Sequence, residues 1–257
     1  MIGFFIKKAF FDGWDNLIGL IILNVGFVLS LAVGYGAFLT FQFNVVIGAL
    51  LTLLFLGVLN IFISGVSFFV KEYAFYQSPG FKDFWDYLKE SLKPALFHTL
   101  FMLGLLIVAF FVIPFYAGLN GIVGAVVVAL QFWVAFFAGM GLMYYFPIIS
   151  QLGNSPKKAI KKCFLLIFDN IGFSIFLFLY TIINTIISIL TAFLIPGFAA
   201  ILMAHQDAVK LLMLKYDYLE ENPDANRKKI PWSALLIEER DRVGHRSLRG
   251  MIFPWKE

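Results

Sequence analysis

Charge is what this sequence lacks. No Asp, Glu, Lys or Arg falls between Asp15 and Lys71, between Lys93 and Lys157, or between Asp169 and Asp207. Only 14% of the 257 residues are charged, against about 25% in soluble domains, and 61% are hydrophobic, which excludes a soluble globular chain. One cysteine, Cys163, excludes an internal disulfide and leaves the redox compartment unspecified. There is no Walker-type glycine loop, no G-x-S-x-G elbow, no paired-cysteine motif and no acidic cluster for a divalent ion. The sequence therefore carries no catalytic, metal or cofactor signature, and a non-enzymatic protein is expected.

What is present is long apolar runs. The first two uncharged gaps, 55 and 63 residues, each exceed twice the roughly 20 residues that cross a bilayer core of about 30 Å, so each holds two spans. Hydropathy and turn residues predict helices over 17–38, 44–70, 95–116, 121–147 and 171–193. Breaks are predicted at Gly34-Tyr35-Gly36, from Pro114 to Gly121, and before Pro147. Between the second and third, "KEYAFYQSPGFKDFWDYLKESLK" alternates charges with Phe81, Phe84, Trp85, Tyr87 and Leu88, the pattern of a helix lying in the headgroup plane. Lys7, Lys8, Asp12 and Asp15 precede the first run without a cleavage motif, so this segment is expected to be retained.

The chain also echoes itself. "KKAFFDGWDN" at 7–16 matches "KKCFLLIFDN" at 161–170, and "FWDYLKESLKPALF" has similar character halfway between. "FFVIPF" around Pro114 pairs with "FLIPGF" around Pro196. Three units are predicted, about 1–75, 76–152 and 153–220, each an interfacial helix followed by a hairpin. The fold class is then all-α and integral to the membrane, with six transmembrane helices in 1–220 and a cytoplasmic tail over 221–257. The third unit needs a return helix after Pro196, and 197–216 supplies it. With six spans, all 20 Lys and Arg fall on one side, and the positive-inside rule places both termini in the cytoplasm. That asymmetry accounts for the net charge of +4 without a nucleic-acid partner. In the tail, Pro231 and Ser233 start a short helix that Gly244 stops, and Trp232, Phe253 and Trp255 are expected to dock it on the cytoplasmic face.

Candidate chemistry centres on Asp207, because an ionisable group inside a membrane is costly and marks a functional site by default. Counted from Pro196 at 1.5 Å per residue it lies about 16 Å along its helix, near the bilayer middle. Gln206 and Lys210 share its face, whereas His205 points away. A polar lining for a solute or proton path is one reading; an Asp207–Lys210 pair with Lys210 reaching outward is the plainer one. His98 lies about a turn inside the membrane, and interhelical hydrogen bonding outranks a metal site for it. Ser174, Thr181, Asn184, Thr185, Ser188 and Thr191 form a stripe that lines a path or, more simply, glues helices together. Asp15-Asn16 and Asp169-Asn170 are expected to cap the helices that follow them. Cys163 reads as a buried small hydrophobe rather than a palmitoylated thiol.

Three segments, "FFIKKAFFDGWDNLIGLIILN", "FKDFWDYLKESLK" and "SPKKAIKKCFLLIFDNIG", resemble the YesL-like family of bacterial membrane proteins, a domain of unknown function. The resemblance covers most of residues 1–215; the tail with "RGMIFPWKE" has no counterpart in the family pattern. It implies the bacterial cytoplasmic membrane and an accessory or component of solute uptake, possible cargo including carbohydrate, with a transport-system subunit as protein partner. It carries over no catalytic residue and no cofactor. Two alternatives stay open. One is a secondary transporter whose route is lined by Gln206, Asp207, Lys210, His98 and Asn184; the other is an anchor whose tail recruits a soluble partner. Oligomeric state is not legible.

Overall fold

The computed structural model describes residues 1–119, 121–227 and 229–246. Among these residues every regular element is helical. An amphipathic α1 (Ile2–Asp15) leads into the hairpin α2 (Leu17–Leu39) and α3 (Val45–Ala74). Next, α4 (Phe84–Ile107) runs through a π-helical turn at Val108–Val112 into α5 (Ile113–Ala117), and α6 (Ile122–Leu152) returns. A second amphipathic helix, α7 (Pro156–Asp169), precedes the hairpin α8 (Ile171–Leu190) and α9 (Gly197–Glu221), and the tail adds α10 (Trp232–Leu235) and α11 (Ile237–Val243). Six of these helices, counting α4 through α5 as one, are long and apolar enough to cross a membrane. Around them Leu29, Val33, Phe43, Leu54, Phe110 and Leu190 stay exposed, the surface that a lipid-facing bundle presents.

Four predicted features differ. The Gly34-Tyr35-Gly36 break does not form, and α6 continues through Pro147 to Leu152. In an apolar surround an unbroken ladder is what satisfies backbone polar groups, so local helix breakers are overridden. The segment before the third span is not a separate interfacial helix: α4 starts at Phe84 and runs on past Pro94. Nor do Asn16 and Asn170 cap the helices that follow. Each turns its amide back to the carbonyl four residues earlier, Asn16 to Asp12 at 2.9 Å and Asn170 to Leu166 at 3.1 Å, and so closes the preceding amphipathic helix. The first hairpin does have a side-chain cap, Asn44, whose oxygen accepts from the N–H groups of Val46 and Ile47.

The sixth long helix is unlike the other five. Its mean hydropathy is 1.3 against 2.2 to 2.6 for the others, and α1, α2, α3, α6 and α8 all pack on it. It can carry polar residues because protein, not lipid, surrounds them. Its start is unusual too. The α8–α9 turn holds Ala192, Phe193 and Gly197 at positive φ, and it docks on α2 at Asn24 and Phe27. Asn24, fully buried, donates to the carbonyls of Leu194 and Pro196 (both 3.0 Å) and accepts from the Ala199 N–H at 2.8 Å. Non-helical backbone at membrane depth is tolerated only where protein satisfies it, and one asparagine does most of that here. Asn24 lies about 22 Å along α2 from its Leu39 end at 1.5 Å per residue, so this turn stops well short of the tip of the first hairpin.

Candidate functional site

Five charged side chains converge at the end of α3. On α1, Phe5, Lys8, Ala9 and Asp12 share one buried face, which puts an ammonium and a carboxylate on the stripe that packs against α9. The Lys8 ammonium donates to the Asp12 carboxylate, to the Ala74 carbonyl at 3.1 Å and to the Tyr76 hydroxyl at 3.0 Å. It also lies 3.2 Å from an Asp207 oxygen and 3.4 Å from Glu239 of α11. Lys210 pairs with Glu239 at 2.7 Å and donates to the same Ala74 carbonyl at 3.0 Å. An ammonium has three protons, and Lys8 has assigned all of them. Both Asp207 oxygens are fully buried, and among the described residues neither has a well-directed hydrogen bond; their closest cation is Lys8.

Tyr76 completes the cluster at a price in backbone strain. It follows α3 in a Schellman end, with its own N–H on Tyr73 O and the Gln77 N–H on Glu72 O, at the position that glycine normally takes. Its φ is 60°, a left-handed conformation that costs an aromatic residue about 1–2 kcal/mol. The ring lies against both ammoniums, 4.1 Å from Lys8 and 4.4 Å from Lys210, and its hydroxyl donates to Glu239 at 2.7 Å. Those contacts offset the strain.

The expected Asp207–Lys210 pair is thus replaced by two pairs to other elements, Asp207 with Lys8 and Lys210 with Glu239. The depth is revised as well. Gln206 donates to Ser67, and Lys210 to Ala74, which lie about 33 and 44 Å along α3 from Val45 at 1.5 Å per residue. The cluster sits at the charged end of the bundle, beside the last turn of α3, because α9 starts partway along α2 rather than at the tip of the first hairpin.

The remaining candidates do not join it. The Gln206 amide bridges Ser67 (2.8 Å), Ser150 (3.1 Å) and Gln151 (2.7 Å) of α3 and α6. The His205 ring meets Thr181 of α8 at 2.8 Å, and the His98 ring meets Asn60 of α3 at 2.6 Å. Asn184 donates to the Tyr180 carbonyl of its own helix and lines a cavity of about 370 Å³ bordered by Phe10, Trp14, Tyr180 and Pro196. The α8 hydroxyls largely bond back to their own helix, with Thr181 to His205, Ser174 to Tyr144 and Ser188 to the Gly197 N–H as cross-links. Cys163 is buried, and burial pushes its thiol up to about 12.

Sequence reasoning missed Lys8, Asp12, Tyr76 and Glu239. One signal was present: Lys8 and Asp12, spaced i,i+4, fall on the apolar stripe of α1 rather than on its wet side. The tail is tied to α1 at three further points. Lys7 donates to the Gly244 carbonyl, Arg246 grips both oxygens of Asp15 at 2.7 and 2.9 Å, and the Arg246 guanidinium covers the Phe11 ring. Trp232 packs, partly buried, against the core, whereas Phe253 and Trp255 lie outside the described residues.

Acid acts on this cluster in two opposite senses. Burial pushes the Asp12 carboxyl up despite Lys8, so protonating it favours the folded state as pH falls. Burial also acts against Glu239, but the Lys210 hydrogen bond, the Lys8 charge and the Tyr76 hydroxyl hold it below its ordinary 4.5. Its contribution is complete above 4.5 and is lost as pH falls through that lower value. Hydrogen exchange of amides 237–243, corrected for intrinsic rates, is therefore expected to accelerate below pH 4.5 in the natural protein. In Glu239→Gln it is fast already at neutral pH, and an unchanged exchange profile in that variant would remove Glu239 as the tail's anchor.

No family model matches the chain, and neither a curated protein nor a solved structure matches it.

Proposed function

We propose that this is a non-enzymatic, multi-pass protein of the bacterial cytoplasmic membrane, an accessory or component of solute uptake with both termini on the cytoplasmic side. The carbohydrate class of solute and the membership of the YesL-like family rest on the resemblance of the amphipathic segments, and the three-unit repeat on the matching sequences at 7–16 and 161–170.

One observation carries the accessory reading over a transporter: of the polar residues that could line a route, all but Asn184 are engaged by other elements. Gln206 is bonded to α3 and α6, His205 to α8, His98 to α3, and Asp207 faces Lys8 of α1. Such contacts fix helices against one another, which is glue rather than a path. The same cluster holds α11 through Glu239, which favours a fixed face built from α1 and the tail as the docking surface for a transport-system subunit.

Two measurements test this. Cells lacking the protein are expected to accumulate a labelled sugar more slowly, while the purified protein in liposomes moves neither sugar nor protons down an imposed gradient. Flux by the purified protein alone, abolished in Asp207→Asn, would replace the accessory with a transporter.

A further inference from the structure

The amphipathic helix α7 turns four lysines outward, Lys157, Lys158, Lys161 and Lys162, and buries Ala159, Cys163, Leu166 and Ile167. Where it meets the ends of α6 and α9 a groove of about 390 Å³ opens. Its walls are apolar, chiefly Leu165, Ile148, Leu152 and Met213, and its rim carries Lys162 and, from the segment after α9, Arg227.

The charge of this rim is not balanced from within. Among the described residues the one carboxylate in the lining is Asp169, and it is already engaged: Lys215 donates to it at 2.8 Å and the Tyr216 hydroxyl at 2.6 Å. Burial works against its ionisation, but those two hydrogen bonds and the nearby cations hold its carboxyl below the usual range. Among the described residues, neither Lys162 nor Arg227 has a carboxylate within 4.0 Å. Three cations thus face one anion, above a hydrocarbon floor. A small inorganic anion would satisfy the rim and leave the floor wet; an uncharged amphiphile would do the reverse. Basic pockets between membrane helices on the positively charged side suit lipid head groups, and that leaflet is the one rich in anionic lipid.

We propose that this groove binds one anionic phospholipid, its phosphate held between Lys162 and Arg227 and the first carbons of an acyl chain laid over Leu165, Ile148, Leu152 and Met213. The site rests on the membrane setting alone and not on the accessory role.

The test uses the full chain in nanodiscs of phosphatidylcholine containing a minor fraction of phosphatidylglycerol, released gently for native mass spectrometry. One retained phosphatidylglycerol per chain is expected, with retention falling about tenfold in the double variant Lys162→Gln, Arg227→Gln. Lys157→Gln, Lys158→Gln removes the same amount of charge, from α7 outside the groove, and is expected to leave retention unchanged. Equal loss in both double variants would reduce the site to diffuse surface attraction, and equal retention of phosphatidylcholine would overturn it. Displacement of the lipid by millimolar inorganic phosphate would make it a phosphate site instead. Slow labelling of buried Cys163 reports that each variant is folded, and Lys162→Arg, which keeps the charge, is expected to restore retention.

Discussion

Lys8→Met is expected to cost about 3–5 kcal/mol and to unfold the chain in mild detergent at temperatures where the natural protein survives, because it leaves buried carboxylates without their shared cation. Lys8 is fully buried and touches Asp12, Asp207 and Glu239 at once. Its removal strips charge compensation from α1, α9 and α11 together. Asp207→Asn should behave very differently. The five-residue cluster has three carboxylates to two ammoniums, and among the described residues Asp207 has no well-directed hydrogen bond to lose. Neutralising it brings the cluster nearer balance, so a change within about 1 kcal/mol is expected. The readout is the rate at which the Cys163 thiol reacts on heating in detergent. Two variants of similar severity would refute Lys8 as the hub.

The second large effect belongs to the α8–α9 turn. Asn24→Leu removes the partner of two carbonyls and one N–H at a buried site, each orphaned group costing about 1–3 kcal/mol, so a loss of about 3–5 kcal/mol is expected. Gly197→Ala attacks the same contact from the other side. A Cβ there would fall 2.0 Å from the Asn24 amide nitrogen at a φ of 73°, so Asn24 must leave its position. Because both substitutions break one arrangement, the double variant should be little worse than the poorer single, a coupling that the thiol-reactivity assay resolves. Additive losses would mean that Asn24 and Gly197 act separately.

The apolar helices were legible because lipid-scale runs without charge admit few alternatives, and the observed boundaries at Leu17, Val45, Ile122 and Ile171 fall within a residue of the predicted ones. The partners of the charged residues were not. Lys8 and Asp207 are 199 positions apart, and only the packing of α1 against α9 brings them together. Glu239 lay in what read as a soluble tail, where a carboxylate carries no sign of its partner. The position of Asp207 along the bundle was illegible for a related reason. Residue counting fixes distance along a helix but not where the helix starts, and the start of α9 is set by Asn24, 173 positions before Gly197. Tyr76 was illegible because Ser78-Pro79-Gly80 marks a stop after the second span without marking which residue makes it, and the left-handed position is one that glycine normally takes.

The shallow seating of the last hairpin gives the molecule a taper. The amphipathic helices and the tail all gather at the charged end, while at the other end the first two hairpins stand without the third. A chain of this outline, seated across a bilayer, is expected to displace more lipid from the monolayer at its charged end than from the other, and so to partition into small, curved vesicles over flat, symmetric ones.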